Sequence, residues 1–342
     1  MAATQPSDQS AMGGTGAHGS RVRAYLELFR LPNVFTAMAD VFMGYLFTHS
    51  DLANWPVFVL LLASSSGLYA AGMVLNDVFD FDVDARDRPQ RPLPSGRIAL
   101  ARARRLGMAL LIAGVAAGWL AAALAGQWWP GLVATLLALA VLAYDGGVKQ
   151  TPAAPLVMGG CRFLNVLLGM SAMAGAWHAV HWVVAGGIGL YIAGVTWFAR
   201  TEAGASSRWQ LGLATLVIGA GLVVLAAFPS QADAELAAVS WPRYAASPAA
   251  HVLLGDGGGG PAVQQRWYLF WCVLGALITW RCLRAVAQPE PLHVQAAVKH
   301  CILSLIVLDA AVCWAVRGGF WAVVILLLLA PAMLLGRWIY ST

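Results

Sequence analysis

The chain has 342 residues, 60% of them hydrophobic and only 11% charged, with a formal net charge of +5. Its mean hydropathy of +0.70 and its apolar share lie far above the roughly 45–50% apolar content of an ordinary soluble domain. That balance excludes a soluble globular enzyme and leaves an all-α, polytopic helical membrane protein. The positive surplus is almost all arginine, Lys149 and Lys299 being the only lysines. In a membrane chain it speaks first to orientation and then to an anionic ligand, and no nucleic-acid partner is expected.

Residues 1–20 are rich in Gly, Ser, Ala and Thr without periodicity and lack the apolar core of a signal peptide. They read as a disordered tail ahead of a membrane domain over 21–342. Ten apolar segments follow, near 33–48, 55–76, 106–124, 129–144, 156–176, 180–199, 209–228, 266–287, 300–316 and 320–338. Each can cross a hydrocarbon core of about 30 Å, the shorter ones with flanking residues. With the N-terminus cytoplasmic, one side receives Arg23, Arg30, the 86–105 arginines, Lys149, Arg200, Arg281 and Arg284, and the other only Arg243, Arg266 and Arg317. The skew predicts an integral protein of the inner (cytoplasmic) membrane with both termini cytoplasmic. The far-side connection 229–265, with Pro229, Pro242, Pro248 and the run Gly255 to Pro261, stands apart as an extracytoplasmic loop. Polar groups recur after the second, fourth, sixth and eighth segments, which suggests two four-helix halves sharing one mouth. The five cysteines all lie in apolar segments without a metal-binding spacing, and read as small core residues.

Charge is concentrated once, in Asn76 to Arg97 (NDVFDFDVDARDRPQRPLPSGR), directly after an apolar span. Asp77, Asp80 and Asp84 stand at i, i+3 and i+7, on one face of a helix leaving the membrane. Three like charges there need a counter-ion. Mg²⁺ suits them, since it takes one or two carboxylates and completes its octahedron with water and phosphate oxygens. Asn76 adds an amide oxygen, so the expected metal group is Asn76, Asp77, Asp80 and Asp84. The plainer reading is a solvated acid cluster paired with neighbouring arginines. Arg88 and Arg91 follow, and Pro92, Pro94 and Gly96 turn the chain back over the mouth as a lid. Arginines so placed fork onto phosphate oxygens, and metal carboxylates beside them describe a diphosphate site.

Asn76-Asp77-x-x-Asp80-x-x-x-Asp84 followed by Arg91-Pro92-x-x-Ser95-Gly96 resembles the first aspartate-rich motif of the UbiA superfamily of intramembrane prenyltransferases. The resemblance extends from Leu28 to about Asp309. Gly160-Cys161-Arg162-Phe163-Leu164-Asn165-Val166-Leu167 and Ala199-Arg200-Thr201-Glu202 resemble its EboC-type branch. The resemblance implies nine or ten transmembrane helices around a central cavity. It also implies a polyprenyl diphosphate bound through Mg²⁺ at a cytoplasmic mouth, ionised there, and captured by an acceptor. It places Tyr144 and Lys149 at the mouth, Lys149 on phosphate, and Asn33 facing the cavity. Arg162 and Asn165, three apart inside an apolar helix, share a face, which for a buried charge points to a ligand cavity. A structural pairing of Arg162 with Asp40 or Asp309 is the plainer alternative, and Asp309 reads as a helix-packing group.

The chain departs from the family at the second aspartate motif, where 196–204 reads TWFARTEAG with Glu202 the only acid. Arg200 is expected to supply the positive charge that a second metal would bring, with Glu202 aiding one ion or pairing with Arg200. The catalytic group is then Asp77, Asp80, Asp84, Lys149 and Arg200. The substrate group is Asn33, Asn76, Arg88, Arg91, Tyr144, Lys149, Arg162, Asn165, Arg200 and Glu202. The function expected is Mg²⁺-dependent transfer of a prenyl group to an unidentified acceptor in the membrane. The altered second motif supports an alternative, a carrier that binds isoprenoid diphosphate lipids without turnover. A CDP-alcohol phosphotransferase is set aside because nothing continues the pattern begun by Asp145-Gly146. A transporter is set aside because the acids lie at a boundary rather than the midplane.

Overall fold

The computed structural model describes residues 22–200, 207–236 and 261–340. The tail, Thr201, Glu202 and most of the 229–265 connection lie outside the described residues. Among those described there is no strand. The helices are α1 (22–28), α2 (Leu31–Thr48), α3 (Trp55–Phe79), α4 (Phe81–Asp87), α5 (Leu100–Ala125), α6 (Trp129–Asp145) and α7 (Ala154–Met170), with a 3₁₀ turn at Val148–Gln150. Then come α8 (Ala179–Ala199), α9 (Arg208–Leu236), α10 (Pro261–Ala287), α11 (Pro291–Arg317), α12 (Gly319–Leu326) and α13 (Leu329–Tyr340). Each of the ten apolar segments coincides with one of these helices or with the pair α12–α13.

Proline opens α2, α3, α6, α7 and α11 at their first or second positions. A first-turn N–H has no intrahelical partner, so nothing is lost there. Seven helices or helix pairs are long and apolar enough to cross a membrane: α3, α5, α8, α9, α10, α11 and α12–α13 together. The apolar helices α6 and α7 have 17 residues each and α2 has 18. At about 1.5 Å per residue these come to roughly 25 Å, short of a full bilayer core without flanking turns. The turn expected after Arg317 is present, with Gly318 at φ 83°. The protein is a multi-pass integral membrane protein. Ile112, Leu124, Leu216, Val223 and Leu277, each more than half exposed, form its outward apolar surface.

The packing follows small residues. In lipid no hydrophobic force joins helices, so close backbone contact must do it. Where α2 crosses α7, a Cβ on Gly44 would sit 2.6 Å from the Val166 carbonyl oxygen, and one on Gly169 would sit 2.5 Å from that of Val41. α3 lies along α5, α8 along α9, and α11 packs on α2, α8 and α10. Between α2, α3, α6 and α7 an apolar cavity remains. A second, smaller core of Ala24, Leu28, Val74, Leu93, Ile98 and Ala103 forms at the end of the bundle. Leu93 and Ile98 belong to the lid, so burial pins it over the end of α3.

Candidate active site

α3 supplies one wall of the cavity through Ser65, Leu68, Tyr69, Gly72, Met73 and Asn76. Their spacing of three and four residues puts them on one helix face. From Asn76 to Ser65 that face runs about 16 Å at 1.5 Å per residue. α6 adds Leu137, Val141, Tyr144 and Asp145, and α7 adds Met158, Cys161, Arg162 and Asn165. At the end of α3 a polar vestibule opens, lined by Asn76, Asp80, Asp84, Asp87, Arg88, Tyr144, Lys149, Thr196 and Arg200, among others. Asn76 and Tyr144 line both hollows, so the apolar cavity and the polar vestibule meet there.

The rim is held by ion pairs. Lys149 Nζ lies 2.6 Å from Asp80 Oδ1 and donates to Asn76 Oδ1 at 3.2 Å. Arg91 Nη1 lies 2.6 Å from Asp84 Oδ2 and 3.5 Å from Asp77 Oδ1. Arg30 Nη2 approaches the same Asp77 oxygen at 3.4 Å. Arg30 itself sits in the left-handed region at φ 45°, which costs a non-glycine residue of order 1 kcal/mol. That backbone ends α1 and begins α2, bringing the guanidinium to Asp77. Ser95 Oγ donates to the Arg91 carbonyl at 2.6 Å and Arg97 pairs with Glu27 at 2.7 Å, which ties the lid to α1.

The three carboxylates do not face the vestibule alike. The helix is interrupted at Asp80, between α3 and α4. Asp80 and Asp84 line the vestibule; Asp77 and Asp84 are equally buried, at 5% and 4% exposed, but Asp77 is turned to Arg30 as well as Arg91. Among the described residues no three acidic, histidine or cysteine side chains gather into a ready metal cage. Of the expected metal group, the Asn76 amide oxygen and the Asp80 and Asp84 carboxylates face the hollow, and Asp87 lines it too. Hard oxygens in that number fit Mg²⁺, which leaves its other positions to phosphate and water.

The remaining expected residues divide. Arg88, Tyr144, Lys149 and Arg200 line the vestibule. Arg200, capping the C-terminal end of α8, comes from a different wall than Asp80 and Asp84. Arg91 reaches Asp77 and Asp84 from the lid. Asn33, half-buried in the first turn of α2, lines neither hollow, and its carbonyl accepts from Thr36 Oγ1 at 2.7 Å. Glu202 lies outside the described residues. Arg162 takes the structural pairing with Asp40, and Asn165 joins it. Both also line the deep end of the cavity. Arg162 Nη1 lies 2.8 Å from Asp40 Oδ2 and its Nη2 donates to Thr36 Oγ1 at 2.6 Å. Asn165 Nδ2 donates to the same Asp40 oxygen at 2.9 Å and Ser65 Oγ donates to Asn165 Oδ1 at 2.7 Å. Asp309, fully buried, stands within side-chain hydrogen-bond reach of Asp40, the helix-packing role expected of it.

The shared mouth needs one correction. The ends of α3, α6 and α8 meet at the vestibule, but the end of α10 does not. Arg281 and Arg284 line a separate hollow with Trp280, His293 and Ala296. One site residue escaped the sequence reading: Arg30 was visible only as a charge before a proline. Asp145 was legible beside Tyr144 and Lys149 as a polar group after the fourth segment, but its place in the cavity wall was not.

Helices enclosing an apolar cavity beneath a rim of carboxylates and guanidinium groups define a membrane-embedded site for an amphipathic ligand with an anionic head. The chain belongs to the UbiA prenyltransferase family, whose profile matches residues 37–298. The digeranylgeranylglyceryl phosphate synthase of Sulfurisphaera tokodaii is 42% identical over 95 residues, 28% of this chain and 34% of that one. The chain spans about a third to a half of the length of the curated relatives it matches. A structure concerned with digeranylgeranylglyceryl phosphate synthase in membranes superposes with a TM-score of 0.56, at 20% identity over 87% of this chain and 99% of that one. A UbiA homolog from Archaeoglobus fulgidus bound to GPP and Mg²⁺ gives 0.51, at 14% identity over 86% of this chain and all (100%) of that one. At these identities the likeness is one of fold.

Proposed function

We propose that the protein transfers a prenyl group from a polyprenyl diphosphate to an acceptor within the membrane. The observation that carries this reading is the junction at Asn76 and Tyr144, where an apolar cavity opens into a charged vestibule. The isoprenoid tail lies along the α3 face and the diphosphate in the vestibule. Asn76, Asp80 and Asp84 would hold Mg²⁺, with Asp77 behind them. Bound there, Mg²⁺ offsets the charge that grows on the departing diphosphate. Lys149, Arg88 and Arg200 reach the same space and grip phosphate oxygens. Arg91 exchanges part of its bond to Asp84 for the substrate. The cavity wall excludes water from the allylic cation. In this reading the vestibule faces the cytoplasm, as the arginine skew requires.

The relatives' name makes a prenylated glycerol phosphate the first acceptor to try. The EboC-type branch stays a reading of Gly160–Leu167 and 199–202 alone, and the synthase named above lends it no support. A carrier function has one observation in its favour: Asp77, Asp80 and Asp84 are each neutralised by a resident cation. Incubation of the purified protein in lipid vesicles with labelled geranylgeranyl diphosphate and Mg²⁺ separates the two. The transferase releases diphosphate at a rate that falls with Asp80→Asn. Tight binding without release would establish the carrier instead.

A further inference from the structure

The proposed transfer leaves one proton without a destination. When a hydroxyl of the acceptor captures the allylic cation, its O–H proton must leave a cavity that excludes water. Either the departing diphosphate or a base in the cavity wall must take it.

Asp145 is the only carboxylate among the described residues lining the cavity. It is 5% exposed, and its Oδ2 has no hydrogen-bond partner. A buried carboxylate oxygen left unpaired is destabilising, a cost expected where function requires the group. The rest of the wall offers no rival. Arg30 and Arg162 stay protonated, Asn76 and Asn165 are amides, and Tyr144 and Cys161 are ordinarily protonated near neutral pH. Asp145 stands close enough to Lys149 and Asp80 to interact with their charges, but it opens on the cavity side of the junction. Asp80 and Asp84 line the vestibule and Asp145 does not, although Tyr144, one residue before it, lines both hollows. The base thus sits on the tail side of the junction, beside the place where the allylic carbon must lie if the head is in the vestibule.

We infer that Asp145 is a catalytic residue, the general base that takes the proton of a hydroxyl acceptor as the new ether bond forms. The inference rests on the prenyl-transfer reading above. The allylic C–O bond breaks and its electron pair leaves with the diphosphate. An acceptor oxygen lone pair forms the new C–O bond, and the proton from that oxygen passes to the Asp145 carboxylate. The carboxylic acid then loses it to water in the vestibule, past Tyr144. The substrate class that follows is an alcohol-bearing lipid, not an aromatic ring that must be attacked at carbon.

The test uses membranes of the cell that makes the protein, which contain the acceptor, with the chromosomal copy replaced by each variant. A strain lacking the gene sets the background. Labelled geranylgeranyl diphosphate and Mg²⁺ are added, and three products are counted: diphosphate, free prenyl alcohol and prenylated lipid. Asp145→Asn is expected to keep diphosphate release within about threefold while the prenylated-lipid share falls by on the order of 100-fold and the alcohol rises. Asp145→Glu, which restores a carboxylate, should recover part of the lipid product. An Asp145→Asn protein with the unchanged lipid share would overturn the assignment. So would parallel loss of release and transfer in both variants, which marks a role in folding or binding. Recovery of Asp145→Asn by excess Mg²⁺ would also overturn it and make the residue a metal ligand. If the unmodified protein releases no diphosphate above background, the prenyl-transfer reading fails and this inference falls with it. That failure is read without any variant.

Discussion

The rim and the floor of the cavity use the same kinds of side chain to opposite ends. At the rim, Asp80, Asp84 and Lys149 keep between 5% and 26% of their side-chain surface open, and Arg91 keeps 24%. Each pair joins elements that differ in kind: a helix end to a lid, or a helix end to a 3₁₀ turn. At the floor, Asp40 is sealed at 0%, and Arg162, at 9%, opens on the apolar cavity. There Arg162 and Asn165 of α7 bind Asp40 and Thr36 of α2, and Ser65 of α3 binds Asn165, so three transmembrane helices are stitched at one level. Arg162 also lies over the Tyr69 ring at 5.4 Å. The difference teaches how a protein poor in charge spends what it has. Pairs with access to water can trade partners for a ligand, whereas pairs without it hold helices in register.

Breaking the floor should therefore have the largest effect. Arg162→Ala leaves Asp40 charged and unpaired in a sealed site, at a cost of about 3–5 kcal/mol. The expected result is a much lower thermal midpoint in detergent, and Arg162→Met with Asp40→Leu should regain most of it. Equal midpoints for Arg162→Ala and the unmodified protein would abolish the contrast. The rim should respond in rate instead. Asp80→Asn or Asp84→Asn is expected to slow diphosphate release by on the order of 100-fold, about 2.7 kcal/mol, with the midpoint nearly unmoved. Arg200→Ala, which removes one of several cations in the vestibule, should weaken diphosphate binding by roughly tenfold in a titration. Unchanged binding there would remove Arg200 from the phosphate site. The smallest effect sharpens the floor. Asp309 stands within side-chain hydrogen-bond reach of Asp40. Asp309→Asn keeps a group that can donate there and should leave the midpoint nearly unmoved, whereas Asp309→Leu should lower stability by about 1 kcal/mol.

Much of this was legible before any coordinates. The 3.6-residue spacing along α3 marks a helix with Asn76 at its polar end, and the lid follows from Pro92, Pro94 and Gly96. The pairing of Arg162 with Asp40 was visible as an alternative, because a charge inside an apolar helix must find an opposite charge or a cavity. Its partnership with both was not, since helix contacts between residues 122 apart have no local signature. Asp77 misled for a local reason. Ideal helix geometry carries i, i+3 and i+7 on one face, but the interruption at Asp80 and the two arginines on Asp77 divide that face.

Length, hydropathy and the single concentration of charge determined by themselves that this is a helical membrane protein with one charged mouth, because apolar length and charge cost in lipid are additive along a chain. Only the tertiary structure decided which loops share that mouth, which acids face it, and that Asp145 stands unpaired in the cavity wall. Those depend on how neighbouring helices rotate and approach, and small residues such as Gly44 and Gly169 set that approach through contacts between segments far apart in the chain.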